Sequence, residues 1–273
     1  MTRLFQLEDT TSGDKYEVDG TVPIEVTPPD VPAGTYHVRA LSDRAPTVLV
    51  VEEIIIPYHI ALRGVAANFT PSTVGTAVQT WADTSDNSND ATQATAAARP
   101  TYRESGALDY LEFDGLDDRM TIAASASWRS ESASLIMVAR IDSTELGSAA
   151  AVLAGSSNAV GATTYVALLE SGSTSTALGR GNARYANGTL ISGNTRGDLY
   201  TAWVQDDWVV IEVAGIDFSS ANFDVGLQLV GWRTDSNLFQ IDLGEVLILP
   251  TADANSNRAY IVSALAAKWG ITI

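Results

Sequence analysis

Short apolar runs broken by turn-forming residues recur along most of this chain, and that recurrence restricts the fold more than any other feature. Ser134–Ile141 (SLIMVARI) is nearly unbroken in apolar character, as suits a strand covered on both faces. Ala149–Ala154, Thr164–Leu169, Thr189–Ser192, Leu199–Val204, Trp208–Val213, Gly226–Trp232 and Phe239–Leu249 follow as strand candidates, many of them about ten residues apart. That spacing predicts an all-β sandwich. Helical periodicity is confined to the end of the chain. Ile261, Leu265 and Trp269 recur at a helical interval beside Val262, with Asp253 near the start and Gly270 where a helix is expected to stop. A terminal helix lying against the sandwich, with that stripe buried, is the expectation.

Residues 1–60 read as a small β unit of their own. Val22–Val26, Gly34–Ala40 and Val48–Ile56 have strand composition, and Pro28-Pro29-Asp30-Val31-Pro32 and Leu41–Pro46 separate them with turn formers. Three short strands need a partner surface, either the larger unit or another subunit. Pro57 holds the preceding residue extended and cannot donate to a ladder, so Ile56–Ile60 is the expected crossing into a second unit, 61–273.

Within the second unit, Leu111–Met120 (LEFDGLDDRM) alternates into Asp114-Gly115 and resumes its apolar pattern at Met120 and Ile122, predicting a strand, a tight turn and a second strand. Upstream, Trp81–Gln93 (WADTSDNSNDATQ) is an ordered-loop composition, because Asp, Asn, Ser and Thr side chains bond to nearby backbone. These residues, with Arg99-Pro100 between them, resemble the laminin-G-like branch of the concanavalin A-like jelly rolls. Gly244–Leu249 and the ending Ala266-Ala267-Lys268-Trp269-Gly270-Ile271 resemble the last strand and closing helix of bacterial and phage members of that family. Val31–Arg39 is similar to the closing strands of Ig-like modules of phage and bacterial surface proteins. The resemblance spans roughly Val65 to Ile273. It implies a jelly roll in a virion structural protein such as a head fibre, spike, tail fibre or decoration protein. The N-terminal unit would attach to other virion proteins, the jelly roll would bind host glycans, and symmetric attachment would make a homo-oligomer.

Charge excludes some partners. The 273 residues carry 33 acidic and 16 basic side chains, net −17, and phosphate recognition depends on Lys and Arg. Neither nucleic acid nor an anionic membrane is therefore expected. Glu52-Glu53 interrupts the most aliphatic stretch, and MTRLFQLEDTT has no secretory pattern, so the chain reads as soluble and assembled in a host cytoplasm. With no cysteine, packing, hydrogen bonds or an oxygen-ligated ion must hold the fold.

Candidate metal ligands are Asp83, Asp86, Asp114, Asp117 and Asp118, with Asn89 and Asp90 alongside; Ca²⁺ is the ion that hard oxygen ligands imply, and turn capping is the competing use of the same side chains. Candidate saccharide-binding residues are Trp232 and Arg233 at a strand end, with Trp203, Trp208, Tyr165 and Tyr185. An aromatic plane stacks on the C–H face of a pyranose while guanidinium and carboxylate groups meet its hydroxyls. Core packing is the competing use of these aromatics, and Trp81, Trp128 and Trp269 are assigned to packing. Catalysis is not expected. Laminarinase-type jelly rolls carry E-x-D-x-x-E, and here Ala107 stands in the first position before Asp109 and Glu112. Two alternatives to the lectin expectation remain, a purely architectural module and a polysaccharide-cleaving enzyme. Arg196-Gly197-Asp198 is treated as a chance tripeptide, and Asn187-Gly188 as a hairpin turn.

Overall fold

The structure is a computed structural model and describes residues 3–9, 15–20, 36–40, 56–130, 132–146, 150–157, 165–231 and 238–273. The chain divides into two compact units, Met1–Ile56 and Pro57–Ile273. The first contains a three-stranded antiparallel sheet in the order Lys15–Gly20, Arg3–Asp9, Tyr36–Ala40. Its register sets Phe5 beside Val18 and Ala40, and Leu7 beside Tyr16 and Val38. Strand composition reveals only the last of these strands, because RLFQLED and KYEVDG alternate apolar residues with charges and hold no aliphatic run. The expected strands Val22–Val26 and Val48–Ile56 lie outside the described residues, apart from Ile56.

The second unit is mostly β, with two antiparallel sheets and a C-terminal helix. One sheet runs Tyr165–Leu169, Ala151–Ser156, Gly226–Leu229, Met120–Ala123, Ala91–Thr92, Thr80–Trp81, Phe69–Thr70. The other runs Thr189–Leu190, Ala183–Ala186, Trp208–Ile216, Ala133–Arg140, Gln240–Pro250, Leu108–Asp114, Thr101–Ser105, and Ile60–Arg63 joins it beside Gln240–Pro250. One core lies between them, with Leu135, Met137, Leu243 and Val246 from the second sheet packed among Met120, Ile122, Leu227 and Leu229 from the first. This is a sandwich held by its inner faces. Three fully buried tryptophans each satisfy their indole N–H on a backbone carbonyl: Trp81 on Arg63 (3.0 Å), Trp128 on Ala123 (2.8 Å) and Trp203 on Tyr185 (3.0 Å).

Leu111–Met120 forms the expected strand, turn and strand, but the two strands enter different sheets. The turn therefore carries the chain across the sandwich. Gly115 sits at φ +76° with its Cα against the Phe239–Gln240 backbone, leaving no room for a Cβ. Asn187 and Gly188, both at positive φ, join Ala183–Ala186 to Thr189–Leu190 as a two-residue hairpin turn.

One expected strand is a helix. Arg196–Trp203 is α-helical where composition predicts a strand over Leu199–Val204, and a capping box starts it: Thr195 Oγ1 accepts from the Asp198 N–H and the Asp198 carboxylate accepts from the Thr195 N–H. Thr-x-x-Asp is the sequence signal that marks this start. The tripeptide Arg196-Gly197-Asp198 is the first turn of this helix. A short helix, Ser143–Leu146, has no counterpart among the expected elements.

The terminal helix Thr251–Trp269 ends on Gly270 in the left-handed conformation, with Gly270 and Ile271 N–H groups bonded back to Ala266. Ile261, Val262, Leu265, Ala266 and Trp269 are buried, and the helix packs on the outer face of the Trp208–Ile216, Ala133–Arg140 and Gln240–Pro250 strands. Among the described residues no helix is long and apolar enough to cross a membrane.

A β-bulge in the longest strand sets the direction of two acidic side chains. Against Ala133–Arg140, Leu243 pairs with Ala139 and Glu245 with Val138, so Gly244 is an extra residue. Before it Ile241 and Leu243 face the core, and after it Val246 and Ile248 do. The phase change sends both Asp242 and Glu245 to the outer face. Without the bulge one of these carboxylates would point into the core.

Candidate functional site

On the outer face, beyond the C-terminal end of the helix, the Trp208 ring packs on Trp269 (4.5 Å between centroids) and on Tyr110 (5.3 Å). The Arg140 guanidinium lies over both the Trp208 ring (5.1 Å) and the Tyr110 ring (5.6 Å), and its Nε and Nη2 donate to Oδ2 of Asp242 at 2.9 and 2.6 Å. Register explains this meeting, since Asp242 stands directly between Arg140 on one side and Glu112 on the other. Glu112 in turn accepts from Arg103 at 2.8 Å. A cleft of about 200 Å³ opens here, lined by Glu112, Arg140, Asp142, Asp206, Gln240, Ile241 and Asp242. Asp206 is fixed by accepting from the Ser143 N–H (2.5 Å) and hydroxyl (3.0 Å). Burial lifts the Asp242 pKa above its ordinary value, the Arg140 contact opposes that shift, and Glu112 reinforces it. A second cavity, about 440 Å³, lies beside Tyr165, Leu178, Gly179 and Arg180 at the far edge of the other sheet.

The aromatic saccharide site expected from sequence is not formed by the described residues. Trp203 has no exposed surface and is core, which corrects its assignment. Trp208 is 8% exposed, with Trp269, Tyr110 and Arg140 packed on it, so no sugar can stack there. Tyr165, also 8% exposed, packs with Val152 and Leu168. The Tyr185 ring is covered by the Arg258 guanidinium at 3.8 Å, itself held by Glu212 at 2.8 and 2.9 Å. Trp232 and Arg233 lie outside the described residues.

The expected metal ligands separate into two loops. Asp83 accepts from Ala61 N (2.7 Å), Ser85 N (2.9 Å), Ser85 Oγ (2.7 Å) and Asn89 N (2.8 Å), while Asp90 accepts from Asp83 N (2.8 Å) and Asp86 is exposed. That loop uses its carboxylates as turn braces. Asp114, Asp117 and Asp118 converge, with ligand atoms within 4.8 Å of one another. Here too the backbone takes part: Asp114 Oδ1 accepts from the N–H groups of Leu116, Asp117 and Asp118, and Asp118 Oδ2 accepts from Asp114 N at 3.0 Å. Burial, reinforced by Asp114, Asp117 and Glu112 and opposed by the Asp114 N–H, pushes Asp118 up to about 7. In an unfolded chain an aspartic acid titrates near 4. Between those values the folded state holds a proton that the unfolded state has lost, so stability falls as pH rises from about 4 to about 7 and levels off above. Asp118→Asn keeps the acceptor and cannot ionise. It is expected to raise Tm by on the order of 5 °C at pH 8 and to leave it unchanged at pH 3.5, and parallel calorimetric Tm profiles for the two proteins would refute this.

The broken D-x-x-E pattern also resolves. Asp109 accepts from Tyr102 Oη (2.6 Å) and Ala66 N (2.9 Å), and alternation along Leu108–Asp114 puts Glu112 on the opposite face. Burial and Asp109 push the Tyr102 phenol up to about 12, so this pair is a neutral-donor brace at ordinary pH. The residues that sequence reasoning missed, Arg140 with Asp142, Asp206 and Asp242, lie in three separate stretches with no spacing pattern to join them. No family profile, curated protein or solved structure matches this chain.

Proposed function

We propose that this chain is a virion structural protein whose Pro57–Ile273 unit is a laminin-G-like jelly roll binding host-surface saccharide in the Glu112–Asp242 cleft, and whose Met1–Ile56 unit attaches to other virion proteins. The motif order along the sequence supports the family reading. The cleft carries the binding reading: it is concave, lined almost entirely by hydrogen-bonding side chains, and its Glu112, Arg140 and Asp242 are fixed by salt bridges on neighbouring strands. Saccharide hydroxyls are donors, and paired carboxylates beside a guanidinium are suited to receive them.

A second reading, an architectural module without a ligand, is favoured by the burial of Trp203, Trp208 and Tyr165. A host-glycan array separates the two, run with the intact chain, Asp242→Asn and Trp232→Ala, with and without chelator. Saturable, chelator-insensitive binding that falls at least tenfold in Asp242→Asn is the expected result. Loss only in Trp232→Ala would move the site, and no binding by the parent chain would leave the architectural reading.

A further inference from the structure

The charge of the cleft specifies what kind of saccharide it admits. Glu112, Asp206 and Asp242 contribute three carboxylates to the lining beside Asp142, which has a partner of its own, against one guanidinium among the described lining residues, Arg140. That guanidinium is committed: two of its nitrogens are on Asp242 Oδ2 and its plane lies over Trp208 and Tyr110. Arg103, the other cation nearby, is held by Glu112. An incoming anion would meet acceptors while both of these guanidiniums, the cations at the cleft among the described residues, are already paired with carboxylates, in a cleft where charges are screened less than at an open surface.

The acceptors still available point the same way. Asp242 is only 9% exposed, and both of its contacts fall on Oδ2, so among the described residues Oδ1 has no partner. Glu112 engages Arg103 through Oε1, leaving Oε2 without a partner among the described residues. The Asp242 side chain is 12% exposed and lines the cleft, and a carboxylate oxygen opening there is best satisfied by a charged donor; an ammonium group supplies three N–H donors on one small atom. Hydroxyls satisfy it less strongly, and a uronate or sialate carboxylate opposes it.

We infer that the cleft selects saccharides bearing a free amine over neutral ones, and neutral ones over acidic ones. This rests on the saccharide-binding reading above. The site is thereby matched to de-N-acetylated amino sugars, and acidic polysaccharide is excluded from it.

The test is titration calorimetry on the intact chain with three oligosaccharides of equal length, glucosamine, N-acetylglucosamine and galacturonate oligomers, at pH 6 and low salt. The amine oligomer is expected to bind about tenfold more tightly than the neutral one, the acidic one at least tenfold more weakly, and both ratios should shrink with added salt. A protein of net charge −17 attracts any polycation, so two variants of equal charge are compared. Glu112→Gln with Asp206→Asn should reduce the amine-to-neutral ratio about tenfold. Glu104→Gln with Asp217→Asn, at exposed positions outside the cleft, should leave that ratio within twofold. Equal loss in both variants, or neutral binding with no ranking by charge, overturns the inference while the saccharide-binding reading stands. Absence of binding by all three oligomers overturns both.

Discussion

Gly244→Ala will lower the stability of the Pro57–Ile273 unit by about 3 kcal/mol, at the upper end of ordinary overpacking costs. A methyl group at position 244 would stand inside the van der Waals envelope of the Trp269 ring, on three of its carbons. Neither side can give. The glycine is the bulged residue between Ala139 and Val138, and its carbonyl lies against Gly64 at the end of the Ile60–Arg63 strand. The indole is 2% exposed, rests on Trp208, and approaches Oε1 of Glu245 with its N–H (3.4 Å). To admit the methyl group, the last turn of the helix must lift from the sheet. Trp269→Ala alone will cost about 3–5 kcal/mol through the cavity it leaves. The two losses should not add. In the double variant the methyl group enters space that the indole has vacated, so the combined cost should fall short of the sum by about 1–3 kcal/mol. Urea denaturation of the four proteins of this cycle measures the coupling, and strict additivity would show that the ring does not rest on Gly244.

The same contact shows what is legible in the sequence. Gly244–Leu249 and Ala266–Ile271 read as two separate end motifs, and they pack on each other, with Gly270 capping the helix that brings Trp269 down onto Gly244. Runs such as SLIMVARI and the stripe Ile261, Leu265, Trp269 are readable because burial on a strand or helix face leaves a period in the sequence. The bulge leaves none. Gln240–Pro250 is apolar enough on both faces to read as one continuous strand, and only the ladder reveals the phase change that sets Asp242 and Glu245 on the same side.

The cleft is hidden for a related reason. Glu112, Asp142, Asp206 and Asp242 come from separate stretches, and each alone looks like an ordinary surface acid. The aromatic residues mislead in the opposite sense. Trp208 does point outward from its strand, as alternation requires, but the terminal helix and Arg140 cover it, and sequence carries no record of that covering. In the Asp-rich loops the composition correctly indicates ordered turns. Which backbone N–H each carboxylate accepts depends on φ/ψ values such as that of Gly115, and these are set by the neighbouring Phe239–Gln240 backbone.

Glu245→Ala is expected to cost about 3–5 kcal/mol, the range seen when one partner of a buried ion pair is removed. Glu245 has no exposed surface and gathers Lys268 Nζ at 2.5 Å, Arg63 Nη1 at 3.5 Å and the Trp269 N–H. The two cations are 35% and 30% exposed, so after the substitution they regain part of their hydration; the cavity and the orphaned indole N–H supply the rest of the cost. Glu245→Gln retains an acceptor and the volume but not the charge, and about 2 kcal/mol is the expected loss. Because the carboxylate is enclosed, that loss should persist at about 1 M salt, where an exposed pair would be screened. Salt-insensitive losses in that order, read from denaturation midpoints, identify a buried charge as the clamp on the helix. A loss that vanishes with salt would make it a surface pair. The clamp and the cleft share one strand, one bulge and the Trp269–Trp208–Arg140 stack, so Glu245→Ala should also weaken saccharide binding without touching the ligand. Unchanged affinity in the folded variant would separate the helix seat from the site that Asp242 and Arg140 form.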